Sequence, residues 1–178
     1  MTDLRMASGR DVRLAARSGE LTGQTSGLAM GYVQANLVVL PQDWAYDFLL
    51  FCKRNPKPCP LLDVTEAGDP VPKGIAADAD VRTDVPQYRV FQNGELIDEP
   101  TDVRRYWRPD LVAFLIGCSF TFENALLAAG VPLRHIEMGC NVPMYRTNRP
   151  CRSAGRFRGP LVVSMRPMTT EQAIRATT

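Results

Sequence analysis

The stretch Leu111-Val-Ala-Phe-Leu-Ile-Gly-Cys-Ser-Phe-Thr-Phe-Glu-Asn-Ala-Leu-Leu-Ala-Ala-Gly130 decides the fold of this 178-residue chain. Its continuous apolar run, residues 111–116, predicts a strand that is buried on both faces. Thr121 has the hydroxyl of a helix cap, and Glu123 places a negative charge in the first turn, where the helix dipole favours it. Because Gly130 suits a helix end, the stretch predicts a strand–turn–helix unit.

A thiol, a hydroxyl and a carboxylate crowd the turn of this unit, on Cys118, Ser119 and Glu123. In open α/β sheets, ligands bind outside the carboxyl ends of the strands. We therefore expect this turn to form one wall of a functional site. A second unit of the same kind ends the chain. Residues 161–165 predict a strand, and Ser164 and Arg166 lie at its turn.

The other segments predict one mixed α/β domain over residues 1–178, with helices covering a central mixed sheet. Helices are expected over residues 6–17 and 41–54, and a capping box at Thr169 and Gln172 predicts a last helix. The Asn93-Gly94 turn predicts a β-hairpin. The expected strands lie near 32–40, 88–97, 111–117 and 161–165. Residues 133–137 are interpreted as a further short strand, and residues 138–150 as an irregular polar loop.

The composition is that of an ordinary soluble globular protein, with 45% hydrophobic and 22% charged residues. A net charge of +2 without a basic stripe argues against a nucleic-acid partner. The longest apolar stretch is too short to span a bilayer, and the N-terminus lacks the apolar core of a signal peptide. The sequence therefore predicts a cytoplasmic protein with neither a membrane nor a nucleic acid as partner.

The cysteine pattern argues against metal and disulfide frameworks. The five cysteines are Cys52, Cys59, Cys118, Cys140 and Cys151. Their number is odd, no two form a C-x-x-C pair, and His135 is the only histidine. The sequence therefore predicts free thiols, no metal site and no cofactor.

Five ordered blocks resemble the signature blocks of one bacterial family. They are GYVQANLVVLP from Gly31, FCKRNPKPCPLL from Phe51, FLIGCSFTFE from Phe114, NVPMYRTN from Asn141 and VVSMRP from Val162. On these blocks the chain is identified as a member of the hydro-lyase family that is related to the D-glutamate cyclase domain. The resemblance implies a carbon–oxygen lyase acting on a small amino or oxo acid, such as one converting D-glutamate to 5-oxo-D-proline and water.

That chemistry needs groups that hold a carboxylate, carry a proton and stabilise a tetrahedral centre. The catalytic candidates are Glu123, Cys118 and Ser119. Glu123 is either an acid/base group or a carboxylate that only complements the helix dipole. Cys118 is either a nucleophile or a buried thiol that fills space. Ser119 would donate hydrogen bonds to an anion.

The expected partner is a small-molecule carboxylate, held by residues around the end of the second strand. The substrate-binding candidates are Arg146, Arg166, Ser164, Asn141, Tyr145 and Asn148. The two arginines would clamp the carboxylate or else form surface ion pairs, and the polar loop residues would position substrate or only structure the loop. If the two strands run parallel, Cys118, Ser119, Glu123, Arg146 and Arg166 should converge at one sheet edge. His135 is expected to be structural.

A second interpretation stays open beside the lyase. Members of the family are longer, and their final third carries a histidine-rich segment that this chain does not contain. We therefore expect the chain to lack a C-terminal third and to expose an apolar patch beside strands 111–116 and 161–163, with self-association into a homo-oligomer as one outcome. The alternative function is a carboxylate-binding or accessory protein without turnover, or an inactive fragment.

Overall fold

The computed structural model describes residues 3–177, which contain five helices and seven strands. The helices are α1 Gly9–Arg17, α2 Gln42–Arg54, α3 Glu123–Ala128, α4 Arg134–Glu137 and α5 Thr170–Arg175. The strands are β1 Ala35–Pro41, β2 Leu61–Val64, β3 Val90–Gln92, β4 Glu95–Asp98, β5 Leu111–Gly117, β6 Met144–Pro150 and β7 Pro160–Ser164. Short 3-10 turns cover Arg104–Tyr106 and Ser119–Phe122. The mixed α/β class is confirmed.

The strand over residues 111–117 is the centre of the fold, as its apolar run predicts. β5 lies between β1 and β2 and pairs with both in antiparallel register. Phe114 is fully buried, and its ring packs edge-to-face on Phe48 of α2, with 4.9 Å between the ring centroids. Cys52, one turn further along α2, is buried in the same core.

The arrangement of the other strands differs from the expected single sheet. β3 and β4 form the predicted hairpin around Asn93-Gly94, where both residues adopt positive φ. β6 and β7 form a separate antiparallel pair, which we call the β6–β7 ribbon. Parallel pairing between the strands at 111–117 and 161–165 is therefore wrong. The continuous apolar run of β5 reflects burial on both faces, which an antiparallel centre strand can also reach.

Three local expectations are corrected. Residues 134–137 form a helical turn, which places Leu133 and Ile136, three residues apart, in one apolar cluster with Leu126 and Val131. The stretch expected to be a loop contains β6, whose polar residues are exposed along nearly its whole length. The sequence of β6 therefore lacks the alternation of apolar and polar residues by which a half-buried strand is recognised. Thr121 does not cap α3; its Oγ1 accepts a hydrogen bond from the backbone N–H of Gln34 at 3.1 Å.

The β6–β7 ribbon carries the exposed apolar side chains that were expected beside the second strand. They are Met144, Tyr145, Val162, Val163 and the following Met165. The same expectation for β5 is wrong, because its residues from Leu111 to Phe114 are buried. None of the helices in residues 3–177 has the length and apolar character that a membrane span requires.

Candidate active site

Five polar side chains meet where β5 and β7 end, and we call them the Glu123 cluster. They are Ser119, Glu123, His135, Ser164 and Arg166. Ser119 lies in the 3-10 turn after β5, Glu123 is the first residue of α3, and His135 lies in the helical turn α4. Ser164 is the last residue of β7, and Arg166 lies in the segment that follows β7. The ends of β5 and β7, which belong to different sheets, therefore lie next to each other.

The guanidinium group of Arg166 connects the members of the cluster. Its Nε donates to Oε1 of Glu123 at 3.1 Å, and its Nη2 donates to the same oxygen. Nη2 also donates to Oγ of Ser119, and Nη1 donates to Oγ of Ser164, both at 3.0 Å. The flat face of the guanidinium lies over the ring of Phe122, 4.7 Å from the ring centroid. Arg166 is therefore held in one orientation by hydrogen bonds and by a cation–π contact.

The ion pair between Glu123 and Arg166 is shielded from solvent. Only 2% of the Glu123 side chain and 6% of the Arg166 side chain are exposed. Two charges removed from water in this way compensate each other, and either one alone would be costly to bury. This is the strongest electrostatic feature of the site.

His135 adjoins the same carboxylate, although sequence reasoning assigned it to the core. Its Nε2 lies 3.0 Å from Oε1 of Glu123, and its side chain is 3% exposed. Nε2 and Oε1 are not oriented for a hydrogen bond, so this buried nitrogen has no hydrogen-bond partner within residues 3–177. A buried polar atom without a partner is uncommon in a stable core and points to a functional role. The one feature of the sequence that could have drawn attention to His135 is that it is the only histidine.

Ser26, which lies outside the five-residue cluster, is a second residue that sequence reasoning missed. Its Oγ donates to Oε2 of Glu123 at 3.3 Å, across 97 positions of sequence. Ser26 lies in a segment rich in glycine, serine and threonine that was interpreted only as a loop. No local pattern marks one serine among these as a partner of a distant carboxylate.

Cys118 precedes Ser119 directly, but its environment does not activate its thiol. Burial raises the pKa of Cys118 above the ordinary thiol value, and the backbone N–H groups of Phe120 and Thr121 offset this only in part. Because the thiolate is the nucleophilic form, less of it is present at neutral pH than in a free cysteine. We therefore assign no covalent step to Cys118.

Thiol labelling tests this assignment. Cys140 is exposed and should react first with an aromatic disulfide reagent at pH 7, whereas Cys118 should react more slowly than a free cysteine. Its rate should rise only at a pH above the range where free thiols ionise. Mass spectrometry of timed samples would locate each label. Fast labelling of Cys118 at pH 7 would restore it as a nucleophile candidate.

The four candidates on and before β6 lie outside the cluster. They are Asn141, Tyr145, Arg146 and Asn148, and in the described part of the chain no hydrogen bond joins any of them to it. In the ribbon, Met144 pairs with Ser164 and Arg146 pairs with Val162. Arg146 therefore shares a ribbon face with Ser164 at a diagonal Cα separation of about 7–8 Å, whereas Tyr145 lies on the opposite face.

An open groove passes over the cluster. Ser119 and Ser164 line it, together with Asn141, Met144, Phe122 and Gln34. The side chains of Glu123, Arg166 and His135 are buried, whereas Ser119 and Ser164 are half-buried and line the groove. We call these two serines the serine face of the cluster. Within residues 3–177, no three His, Cys, Asp or Glu side chains are arranged to hold a metal ion.

The part of the chain that carries the Glu123 cluster is similar to known proteins. The family model for D-glutamate cyclase matches residues 112–178, a range that contains all five members of the Glu123 cluster. A protein of Azorhizobium caulinodans named "Putative hydro-lyase" is 62% identical over 171 residues, which cover 96% of this chain and 63% of that protein. A Bordetella pertussis protein with the same description is 63% identical over 177 residues, covering 99% of this chain and 64% of that protein.

A relative from Bacillus licheniformis, again described as "Putative hydro-lyase", is 61% identical over 166 residues and is matched over 63% of its length. The chain thus spans a little under two thirds of the length of the relatives it matches.

Proposed function

The chain belongs to the bacterial hydro-lyase family that shares the D-glutamate cyclase domain, and from this premise we propose that the whole protein is a carbon–oxygen lyase acting on a small amino or oxo acid. In its specific form, the proposal is the conversion of D-glutamate to 5-oxo-D-proline and water. One observation supports it most: a buried carboxylate, guanidinium and imidazole lie beneath two serine hydroxyls that line a groove. A cytoplasmic role in amino-acid metabolism belongs to the same proposal.

The reaction sets clear demands on the site. The substrate nitrogen attacks its own side-chain carboxyl carbon, so a C–N bond forms and a C–O bond breaks. The nitrogen gives up two protons, and these leave with the displaced oxygen as water. The site must therefore accept protons from nitrogen, return them to oxygen, and hold the second carboxylate still during ring closure.

The residues of the cluster can meet these demands. Glu123 is the proposed acid/base group, because it is a carboxylate next to a second proton-carrying group, the imidazole of His135. Ser119 and Ser164 are proposed to donate hydrogen bonds to the substrate carboxylate from the groove side. For this, the hydroxyl of Ser164, which donates to Oγ of Ser119 at 3.3 Å, must turn toward the anion. The guanidinium group of Arg166 donates to both hydroxyl oxygens and places its positive charge beside them.

The residues around the groove complete the proposal. Arg146 and Asn141 are proposed to contact the distal part of the substrate, since both lie at the Ser164 end of the ribbon. Tyr145 and Asn148 remain weaker candidates for substrate contact.

A carboxylate-binding protein without turnover is the second candidate, and one observation favours it. Arg166 pairs directly with the carboxylate of Glu123, and this is also how a purely structural ion pair is built. In that case the serine face would bind an anion and no proton would move.

A substrate panel separates the two functions. D-glutamate, L-glutamate and 2-oxoglutarate would be incubated with the chain as given and with a chain extended at its C-terminus to the length of the relatives. Chiral chromatography would follow 5-oxoproline formation. The lyase proposal predicts conversion of D-glutamate in at least one chain. Saturable binding of these acids without turnover in either chain would favour the binding protein, and neither binding nor turnover would reject both.

A further inference from the structure

The two oxygens of the Glu123 carboxylate have unequal surroundings. Oε1 accepts from two nitrogens of Arg166 and lies next to Nε2 of His135. Oε2 has one hydrogen-bond partner among the described residues, the hydroxyl of Ser26 at 3.3 Å. A carboxylate oxygen can accept about two hydrogen bonds, so Oε2 keeps free capacity, whereas Oε1 has none.

Ser26 lies in a segment whose C-terminal end is held by backbone hydrogen bonds. We call residues 22–31 the Ser26 loop. At its end, the N–H groups of Ala29 and Met30 donate to the carbonyl oxygens of Leu4 and Arg5, each at 2.9 Å. Ala29 is buried and has a φ of 45°, which is unusual for a residue other than glycine. Such strain persists only where the surrounding contacts impose it, and it is frequent at functional sites.

Gln34 ties the Ser26 loop to the turn of the active site. Its side-chain Nε2 donates to the carbonyl oxygens of Thr25 and Leu28 at 3.1 Å each, and its Oε1 accepts from the hydroxyl of Thr25 at 2.7 Å. Its backbone carbonyl accepts from the N–H of Cys118 at 3.2 Å. One residue thus fixes the position of Ser26 relative to the 3-10 turn that carries Ser119.

From this arrangement we infer that Ser26 is a positioning residue of the active site, which holds Oε2 of Glu123 in the orientation needed for proton transfer. Arg166 fixes one oxygen of the carboxylate and Ser26 fixes the other, so the plane of the group is defined from both sides. Ser26 is then part of the site, and Gln34 is the residue that couples it to the turn carrying Ser119. This inference rests on the proposed function only for its kinetic consequence.

The test compares Ser26→Ala with Ser26→Thr, which keeps the hydroxyl, and with Thr22→Ala, an exposed control in the same loop. The first readout requires no substrate. His135 is the only histidine, so its imidazole protons give a single set of NMR signals that report on the Glu123 carboxylate beside it. We expect Ser26→Ala to move these signals, Ser26→Thr to leave them near the wild-type position, and Thr22→Ala to leave them unchanged.

The second readout is kinetic and uses whichever chain converts substrate. Loss of a hydrogen bond to a charged group should lower kcat by roughly tenfold in Ser26→Ala, with KM changed far less and activity restored in Ser26→Thr. A merely structural serine would lower the melting temperature while the imidazole signals and kcat stayed the same, and that result would overturn the inference. If no chain turns over any acid, the imidazole signals alone decide, so failure of the proposed function is a separate outcome.

Discussion

Replacing Arg166 by methionine is expected to lower the free energy of unfolding by about 3–5 kcal/mol, because it leaves the buried carboxylate of Glu123 without its compensating charge. The substitution also removes the four hydrogen bonds that the guanidinium donates to Glu123, Ser119 and Ser164. Urea unfolding at pH 7, followed by far-ultraviolet circular dichroism and extrapolated to water, would measure the change.

Two further variants identify the cause. Arg146→Met removes an exposed arginine from the β6–β7 ribbon and should change the free energy of unfolding by less than about 0.5 kcal/mol. The double variant Glu123→Leu/Arg166→Met removes both charges and should recover much of the loss, since an apolar pair can replace a buried ion pair. A double variant less stable than Arg166→Met would contradict the assignment. The two alternatives drawn from the sequence, a clamp for the substrate carboxylate or a surface ion pair, would instead predict little change in stability.

Replacing Glu123 by glutamine is expected to lower kcat by roughly 10²- to 10⁴-fold, the usual contribution of a positioned acid/base group. Glutamine keeps the size of the side chain and one oxygen that can accept from Arg166, but it cannot take up a proton. KM should change much less than kcat, because the substrate carboxylate is proposed to bind the hydroxyls of Ser119 and Ser164 and not Glu123. Initial rates of 5-oxo-D-proline formation would give both constants.

Glu137→Gln is the matched control for this change. Glu137 lies in α4 near Glu123 in sequence, but its side chain is half exposed and pairs with Arg134 at the surface. It should keep the wild-type kcat. A folded Glu123→Gln variant that retains more than about a tenth of the wild-type kcat would remove Glu123 from the chemistry.

The central strand and its turn could be predicted because their signals are local. The apolar run of β5 requires burial, and Gly130, at a φ of 73°, ends α3 as glycine does at many helix ends. The meeting of Glu123 with Arg166 was also expected, but for a reason that the structure contradicts. Parallel strands were to bring the two turns together, whereas β7 belongs to the β6–β7 ribbon, and the ribbon itself reaches the end of β5.

The parts of the site that could not be predicted depend on long-range contacts. His135 lies in a short segment with the apolar residues Leu133 and Ile136, which suggested a core histidine, and only the fold shows that its Nε2 lies beside a carboxylate. Ser26 approaches Glu123 from a loop whose position is set by Gln34. The polar residues of β6 were interpreted as a loop, because a strand exposed on both faces has no apolar alternation to show its register.

The central claim is that the serine face of the Glu123 cluster binds a small carboxylate, and a titration tests it most directly. D-glutamate or 5-oxo-D-proline would be added while the imidazole signals of His135 are followed by NMR. We predict a saturable shift of these signals, with affinity at least roughly tenfold weaker in the Ser119→Ala/Ser164→Ala double variant, which loses two donors to the anion. Signals that do not move at any ligand concentration, or equal affinity in the double variant, would contradict the account.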